Sequence, residues 1–136
     1  MAKKKRNYKS VLERDFANLL DEVNYEIDTF EYVRSSHYTP DWKIGPSTYI
    51  ETKGQFAPAQ RSNLVAFKSQ HPNIRICLVF SNATNKLNSR SKISYGDWAS
   101  KHGFDWHDLD AVYNKKLRRY EFRNPKLPSE WFTKGS

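Results

Sequence analysis

The sequence predicts one α/β (α+β) domain, a mixed β-sheet flanked by helices. Three observations point there. The chain has 136 residues, 38% of them apolar and 15% aromatic, which suits a single core in which roughly two-thirds of the unfolded surface becomes buried. Segments of helical periodicity alternate with short β-branched and aromatic runs in the order helix, three strands, helix, strand, helix. No internal repeat or linker interrupts that order, so the expected division is a basic flexible tail over 1–9 and one domain over 10–136.

Each element has its own signal. Ser10-Val11-Leu12-Glu13 reads as a capping box, and Val11, Leu12, Phe16, Leu19, Leu20 and Val23 follow at helical spacing, predicting a helix over about 10–22. Asn24 to Val33 is rich in β-formers and predicts a strand. Arg34-Ser35-Ser36 reads as a turn and Tyr38 to Ile44 as a second strand. After a tight turn at Gly45-Pro46-Ser47 comes a third strand, Thr48 to Lys53, which Gly54 ends. Pro58 suits the first turn of a helix reaching about Gln70, with Leu64, Val65 and Phe67 inward, and His71-Pro72-Asn73 breaks it. Ile74 to Phe80 is the most strand-like run and is expected centrally in the sheet. Ser81 to Lys92 is a polar, basic loop. Ser94 and Asp97 form a second capping box for a short helix to His102, stopped by Gly103. Phe104 to Asp110 and Val112 to Phe122 read as strands or a hairpin, and Leu127 to Trp131 as a terminal turn.

The net charge of +8 is unevenly spread. Residues 1–12 carry five bases and no acid, 13–51 nine acids against three bases, and 52–96 seven bases and no acid. That distribution predicts a polyanion binder that also gathers carboxylates in one place, where the plainer reading is charge for solubility. No apolar run approaches ~18 residues, which excludes a membrane-spanning helix. The basic start lacks the apolar segment of a secretory signal. Cys77 stands alone, so an intrachain disulfide and a Cys-rich zinc site are excluded, and a soluble protein of a reducing compartment is expected. There is no Gly-rich phosphate loop, so no nucleotide cofactor is expected. His37, His71, His102 and His107 show no close ligand spacing; His37 either touches a phosphate or is an ordinary strand-end residue. Trp42, Trp98, Trp106 and Trp131 read as core or interface anchors.

One spacing carries chemistry: Tyr38-Thr39-Pro40-Asp41, nine residues, then Glu51-Thr52-Lys53-Gly54. Alternate side chains of a strand share a face, so Glu51 and Lys53 project together. If the two strands form a hairpin, Asp41 comes beside Glu51. Two carboxylates and an ammonium in one small volume suit phosphodiester hydrolysis. Hard oxygen donors select Mg²⁺, with Mn²⁺ able to substitute, as one or two ions per site, and a lysine adds compact charge beside the reacting phosphate. The bland alternatives are a turn aspartate at Asp41 and a solvated strand face at Glu51 and Lys53.

These residues resemble the PD-(D/E)xK signature of restriction-endonuclease-like nucleases. More closely, Ser10-x-Leu12-Glu13, Tyr25-Glu26, the two strings above, Gln70-His71-Pro72, Val79-Phe80-Ser81, Ser94-Tyr95-Gly96 and Lys101-His102-Gly103 resemble, in order, the phage T7-type endonuclease I family of Holliday-junction resolvases. The resemblance implies a metal-dependent endodeoxyribonuclease that nicks four-way or other branched DNA symmetrically. It implies an intertwined, domain-swapped homodimer, encoded by a phage and acting in the host cytoplasm, with no membrane partner. Asp41 and Glu51 match the metal-binding carboxylates, Lys53 the catalytic lysine, and the Thr52 backbone carbonyl a further metal ligand. Glu13 matches a helix-borne carboxylate supplied in the family by the other subunit, and Glu26 a further active-site acid. Residue by residue, Glu13 also has a competing role as the reciprocal half of its capping box.

The chain departs from the family pattern in the shorter connection between Val33 and Tyr38 and in a basic, aromatic segment at about 106–126. The short link fits an exchange of N-terminal segments and equally an ordinary hairpin. DNA phosphates are expected on Lys3, Lys4, Lys5, Arg6 and Lys9 of the tail, on Lys86, Arg90 and Lys92 of the loop, and on Lys115, Lys116, Arg118 and Arg119 of the divergent segment. Aromatics between the last group either stack on unpaired bases or belong to a solvated hairpin edge. A mobile-element, homing-type endonuclease that nicks duplex DNA on the same scaffold is the alternative function. A non-catalytic DNA-binding module comes after it, since Asp41 and Glu51 would only repel phosphate.

Overall fold

The apolar run that ends at Phe80 becomes an internal strand, and the sheet is built around it and its neighbour. The computed structural model describes residues 9–20, 24–25, 28–32 and 36–132. In chain order its elements are α1 (Val11–Ala17), β1 (Asn24–Tyr25), β2 (Phe30–Tyr32), β3 (Ser36–Tyr38), β4 (Trp42–Lys43), β5 (Thr48–Lys53), α2 (Pro58–Gln70), β6 (Arg75–Phe80), α3 (Tyr95–Lys101), β7 (Asp105–Asp108), β8 (Ala111–Asn114) and β9 (Arg119–Phe122), followed by a 3₁₀ turn at Ser129–Phe132. Five strands form one mixed sheet in the order β1-β4-β5-β6-β7. The β1–β4 and β4–β5 pairs are antiparallel, and β5–β6 and β6–β7 are parallel. Two separate hairpins, β2–β3 and β8–β9, stand beside it. Among the described residues no helix is long and apolar enough to cross a membrane.

A strand buried on both faces must be apolar along its buried length, and β6 is from Ile76 to Phe80. Ile76, Leu78 and Phe80 point into a cluster with Leu64, Phe67 and Trp98, under α2 and α3. Cys77 and Val79 point the other way, into a cluster with Leu12, Phe16, Trp42, Leu109 and Trp131. The sheet therefore separates two cores. Burial pushes the Cys77 thiol up to about 12, so it behaves as a small apolar group. Parallel pairing of β5 with β6 and of β6 with β7, with α2 and α3 as connections, leaves the carboxyl ends of all three strands on one edge.

The helix expected over about 10–22 ends at Ala17. Leu19 and Leu20 N–H groups donate to the Phe16 and Ala17 carbonyls at 2.8 and 3.2 Å, a tightened last turn that buries Leu20 and leaves Leu19 exposed. Residues 21–23 lie outside the described ones. The strand expected over 24–33 is two strands in different sheets. Between them Asp28 accepts from the Tyr49 hydroxyl and pairs with Lys43 at 3.3 Å, pinning the chain where it changes partner. The strand expected over 38–44 also divides, at Thr39-Pro40-Asp41. Proline offers no N–H to a ladder, and Asp41 turns its side chain onto β5. Each half is too short to persist alone, and β2–β3 leaves the main sheet to pack Phe30 and Tyr38 on Phe67 of α2.

Elsewhere the boundaries agree closely. α2 runs Pro58–Gln70 as expected, with Leu64 and Phe67 buried, but Val65 is exposed because one step of 100° carries it off the inward face. Ser94 and Asp97 close the expected capping box of α3, and Gly103 adopts φ +77 behind it. The ambiguous region after Phe104 resolves into β7 and a β8–β9 hairpin. Phe16 is fully buried, its ring edge-on to Trp42 at 4.9 Å, and it fastens α1 to the sheet. Phe16→Ala is expected to cost about 3–5 kcal/mol in urea unfolding, the range for deleting a buried phenyl ring. A loss below about 1 kcal/mol would mean that α1 is not fastened there.

Candidate active site

The β4–β5 turn sets the geometry. Trp42 pairs with Ile50 and Lys43 with Tyr49, so the next residue outward, Asp41, stands across from Glu51. The antiparallel hairpin expected from the spacing is thus present, and it brings the two carboxylates together at the carboxyl end of β5. Asp41 is buried, and its Oδ2 accepts from the Thr52 N–H at 2.9 Å and from the Thr52 hydroxyl at 2.8 Å. Thr52 thus enters the site through its two donors. Glu51 is buried as well. Its Oε1 accepts from the Tyr38 hydroxyl at 2.7 Å and its Oε2 meets Lys53 Nζ at 2.9 Å, since Glu51 and Lys53 share a strand face.

Glu13 arrives from the other core. Ser10 caps α1 by accepting from the Glu13 N–H at 3.1 Å, while Glu13 Oε1 accepts from the Lys9 N–H at 2.8 Å. The reciprocal half of the box therefore falls on Lys9, one residue before the cap. The same carboxyl hydrogen-bonds Asp41, so capping and membership of the site coexist. Glu26 lies outside the described residues.

Three carboxyl groups meet here with one ammonium. Burial first, then the charges of Glu51 and Glu13, push the Asp41 carboxyl up to about 9, although the Thr52 N–H works in the opposite direction. The Tyr38 phenol is raised well above its ordinary range by burial and by the Glu51 charge, and it remains a donor. Negative charge exceeds positive charge, and every candidate donor is a hard oxygen. This set suits a divalent cation of the Mg²⁺ or Mn²⁺ kind. Among the described residues no three acidic, histidine or cysteine side chains already form a cluster that closes round an ion.

The site opens into a cleft of about 820 Å³. It is lined by Lys9 and Glu13, by Asp41, Glu51 and Lys53, and by the amides Gln60, Asn63, Asn82 and Asn85. These amides had no signal in the sequence, because their neighbours in the cleft are distant in the chain; Tyr38 stands in the Tyr38-Thr39-Pro40-Asp41 string, which does not tell that its hydroxyl meets Glu51. His37 also lines the cleft. His71 stacks on Phe67, His102 packs on Trp98, and His107 bonds the Asn124 carbonyl at 2.8 Å. Of the expected phosphate contacts, Lys86, Arg90 and Lys92 are exposed on the loop after β6, and Lys115, Lys116 and Arg118 on the β8–β9 turn with Arg119 at the start of β9. Lys3, Lys4, Lys5 and Arg6 lie outside the described residues. Tyr120 lines the cleft, and Tyr120 and Phe122 pack against the α1 core, so not all the hairpin's aromatics face solvent.

The family model for phage endonuclease I matches residues 1–125, a span that includes the β8–β9 hairpin. Endodeoxyribonuclease 1 of Enterobacteria phage T3 is 36% identical over 110 residues, covering 76% of this chain and 72% of that protein. Endonuclease I of Escherichia phage T7 is 37% identical over 75 residues, covering 54% of this chain and 50% of that protein.

The crowding has a measurable consequence. Between pH 3.8 and about 9 the folded chain keeps a proton on Asp41 that the unfolded chain gives up, so stability contributed by this group falls as pH rises through that window. In EDTA the melting temperature is expected to drop from pH 5 to pH 8 more steeply in the wild type than in Asp41→Asn. Parallel profiles for the two proteins would remove Asp41 as the cause.

Proposed function

Because the chain belongs to the phage endonuclease I family, we propose that it is a DNA endonuclease of the metal-dependent PD-(D/E)xK type, selective for branched DNA and acting as a Holliday-junction resolvase. The observation that carries the chemistry is the meeting of Glu13, Asp41 and Glu51 beside Lys53 in an open cleft that Asn85 of the basic loop and Tyr120 of the basic hairpin also line. Asp41 and Glu51 would hold one or two Mg²⁺ or Mn²⁺ ions, with Glu13 and the Thr52 carbonyl as further oxygen donors. Such an ion supplies Lewis acidity toward water and phosphate oxygen.

The chain's own residues do the rest. Thr52 fixes Asp41 through two donors, so that this carboxylate does not have to be ordered when substrate binds. Lys53, tied to Glu51 at rest, is a compact charge on a flexible stem that can turn to the attacking water or to the phosphate as negative charge develops there. The exposed lysines and arginines of the loop and hairpin bind phosphates without reading sequence, which suits recognition of a DNA shape. A junction must be nicked on two strands of like polarity, and a two-fold homodimer supplies two sites in that relation.

Asp41→Asn, Glu51→Gln and Lys53→Ala are each expected to lower the nicking rate by at least about 100-fold while DNA affinity, measured in EDTA, changes little, because affinity comes mainly from the basic surface. Full activity in any one of them would remove that residue from the chemistry. A four-way junction should be cut faster than linear duplexes of the same sequence, in paired nicks. Equal cutting of the linear duplexes would favour the duplex-nicking, homing-type reading, for which the basic β8–β9 hairpin provides the extra duplex contacts. Binding without any Mg²⁺- or Mn²⁺-dependent nicking would leave a DNA-binding module.

A further inference from the structure

We propose that Tyr38 is a positioning residue, its hydroxyl fixing the Glu51 carboxylate in the orientation from which it takes a divalent cation. The assignment rests on the metallonuclease reading above. Glu51 has two oxygens and two different partners: the Tyr38 hydroxyl on Oε1 at 2.7 Å and the Lys53 ammonium on Oε2 at 2.9 Å. These partners are not equivalent. Lys53 rides on a flexible four-carbon stem, and its role takes it away from Glu51 toward the reacting phosphate. When it leaves, Tyr38 is the hydrogen-bond partner that the carboxylate keeps among the described residues.

Tyr38 is built to stay. Its ring lies edge-on to Phe67 of α2, centroids 4.8 Å apart, and its backbone pairs with Phe30 across the β2–β3 hairpin. A phenol is protonated at neutral pH and donates one hydrogen bond, which uses one lone pair of Oε1 and leaves the others open to a cation. Three residues on in the chain, Asp41 bonds Thr52, and the buried Pro40 stiffens the segment between. The four-residue segment Tyr38–Asp41 thus clasps consecutive residues of β5, Glu51 through the phenol and Thr52 through the carboxylate. Groups that hydrogen-bond a ligating carboxylate set its orientation, and removing one costs about 10- to 100-fold in metal affinity or activity.

The test is Tyr38→Phe, which deletes the hydroxyl and keeps the ring on Phe67. Three measurements on the full chain separate the roles: Mn²⁺ affinity by titration calorimetry with the metal alone, single-turnover nicking of a four-way junction across a Mn²⁺ series, and junction affinity in EDTA. Positioning predicts Mn²⁺ affinity weaker by about 10-fold or more, nicking that partly recovers at high Mn²⁺, and unchanged junction affinity. In a Glu51→Gln background the same substitution should have no further effect on Mn²⁺ binding. Unchanged Mn²⁺ affinity and nicking would leave Tyr38 as a packing ring and overturn the assignment. Lost junction affinity with intact Mn²⁺ binding would overturn it in favour of a DNA contact, and a further loss in the Glu51→Gln background would show that Tyr38 does not act through Glu51. A wild-type chain that neither binds Mn²⁺ nor nicks DNA overturns both readings; one that does both, with Tyr38→Phe equal to it, overturns only this one.

Discussion

Like charges do not gather in a protein unless the chain forces them to, and here the force is the pairing register of β4 with β5. Trp42 opposite Ile50 puts both large apolar side chains into one core and, one step on, Asp41 opposite Glu51. A slip of one residue would expose Trp42 or Ile50 and turn Glu51 and Lys53 to the opposite face. The apolar pair therefore secures the register, and the register brings the carboxylates together. Thr52 offsets part of the cost with two donors to Asp41, and Lys53 and Tyr38 satisfy Glu51. What remains is an excess of negative charge at the end of a rigid strand, which a cation relieves.

The site also lies where the two cores meet. The core under α2 and α3 anchors Tyr38 and supports β5 from one face, and the core on the other face anchors α1 and with it Glu13. Neither core alone holds all the groups. In sheets with parallel pairs, the crevice at the carboxyl ends of the strands is the usual place for a ligand, and the loop after β6 leaves from that edge. Its lysines and arginines come from the stretch over 52–96 that has no acid, so the cationic surface is not neutralised by near neighbours in the chain.

The β8–β9 hairpin joins α1 rather than standing free. Asp15 of α1 accepts from the Tyr120 N–H at 2.8 Å, Arg14 donates to the Arg118 carbonyl at 3.3 Å, and Tyr120 and Phe122 pack against the α1 core. Its basic turn, in which Arg118 adopts φ +52, is carried by the same body as Glu13. A phosphate held by that turn would be held in fixed relation to the helix that completes the site.

Much of this was already legible in the sequence, wherever a signal is local. The Ser10 and Ser94 caps, Pro58 at the start of α2, the β5 run and the Asp41-to-Glu51 spacing each depend on neighbours within about ten positions, and each appears where the residues place it. The breaks at 24–33 and 38–44 were not legible, because a run of β-formers states a preference for extended backbone without naming the partner strand. Partner choice was decided by Asp28 with Tyr49 and Lys43, and by Phe30 and Tyr38 on Phe67, contacts between residues far apart in the chain. The roles of Tyr38 and Asp15 were hidden for the same reason. Sequence by itself determined which chemical groups this protein has and which of them are brought close by a single turn. Tertiary structure decided which distant groups hold them there, since burial on two opposite sheet faces, and not proximity along the chain, brings α1 and β3 to the end of β5.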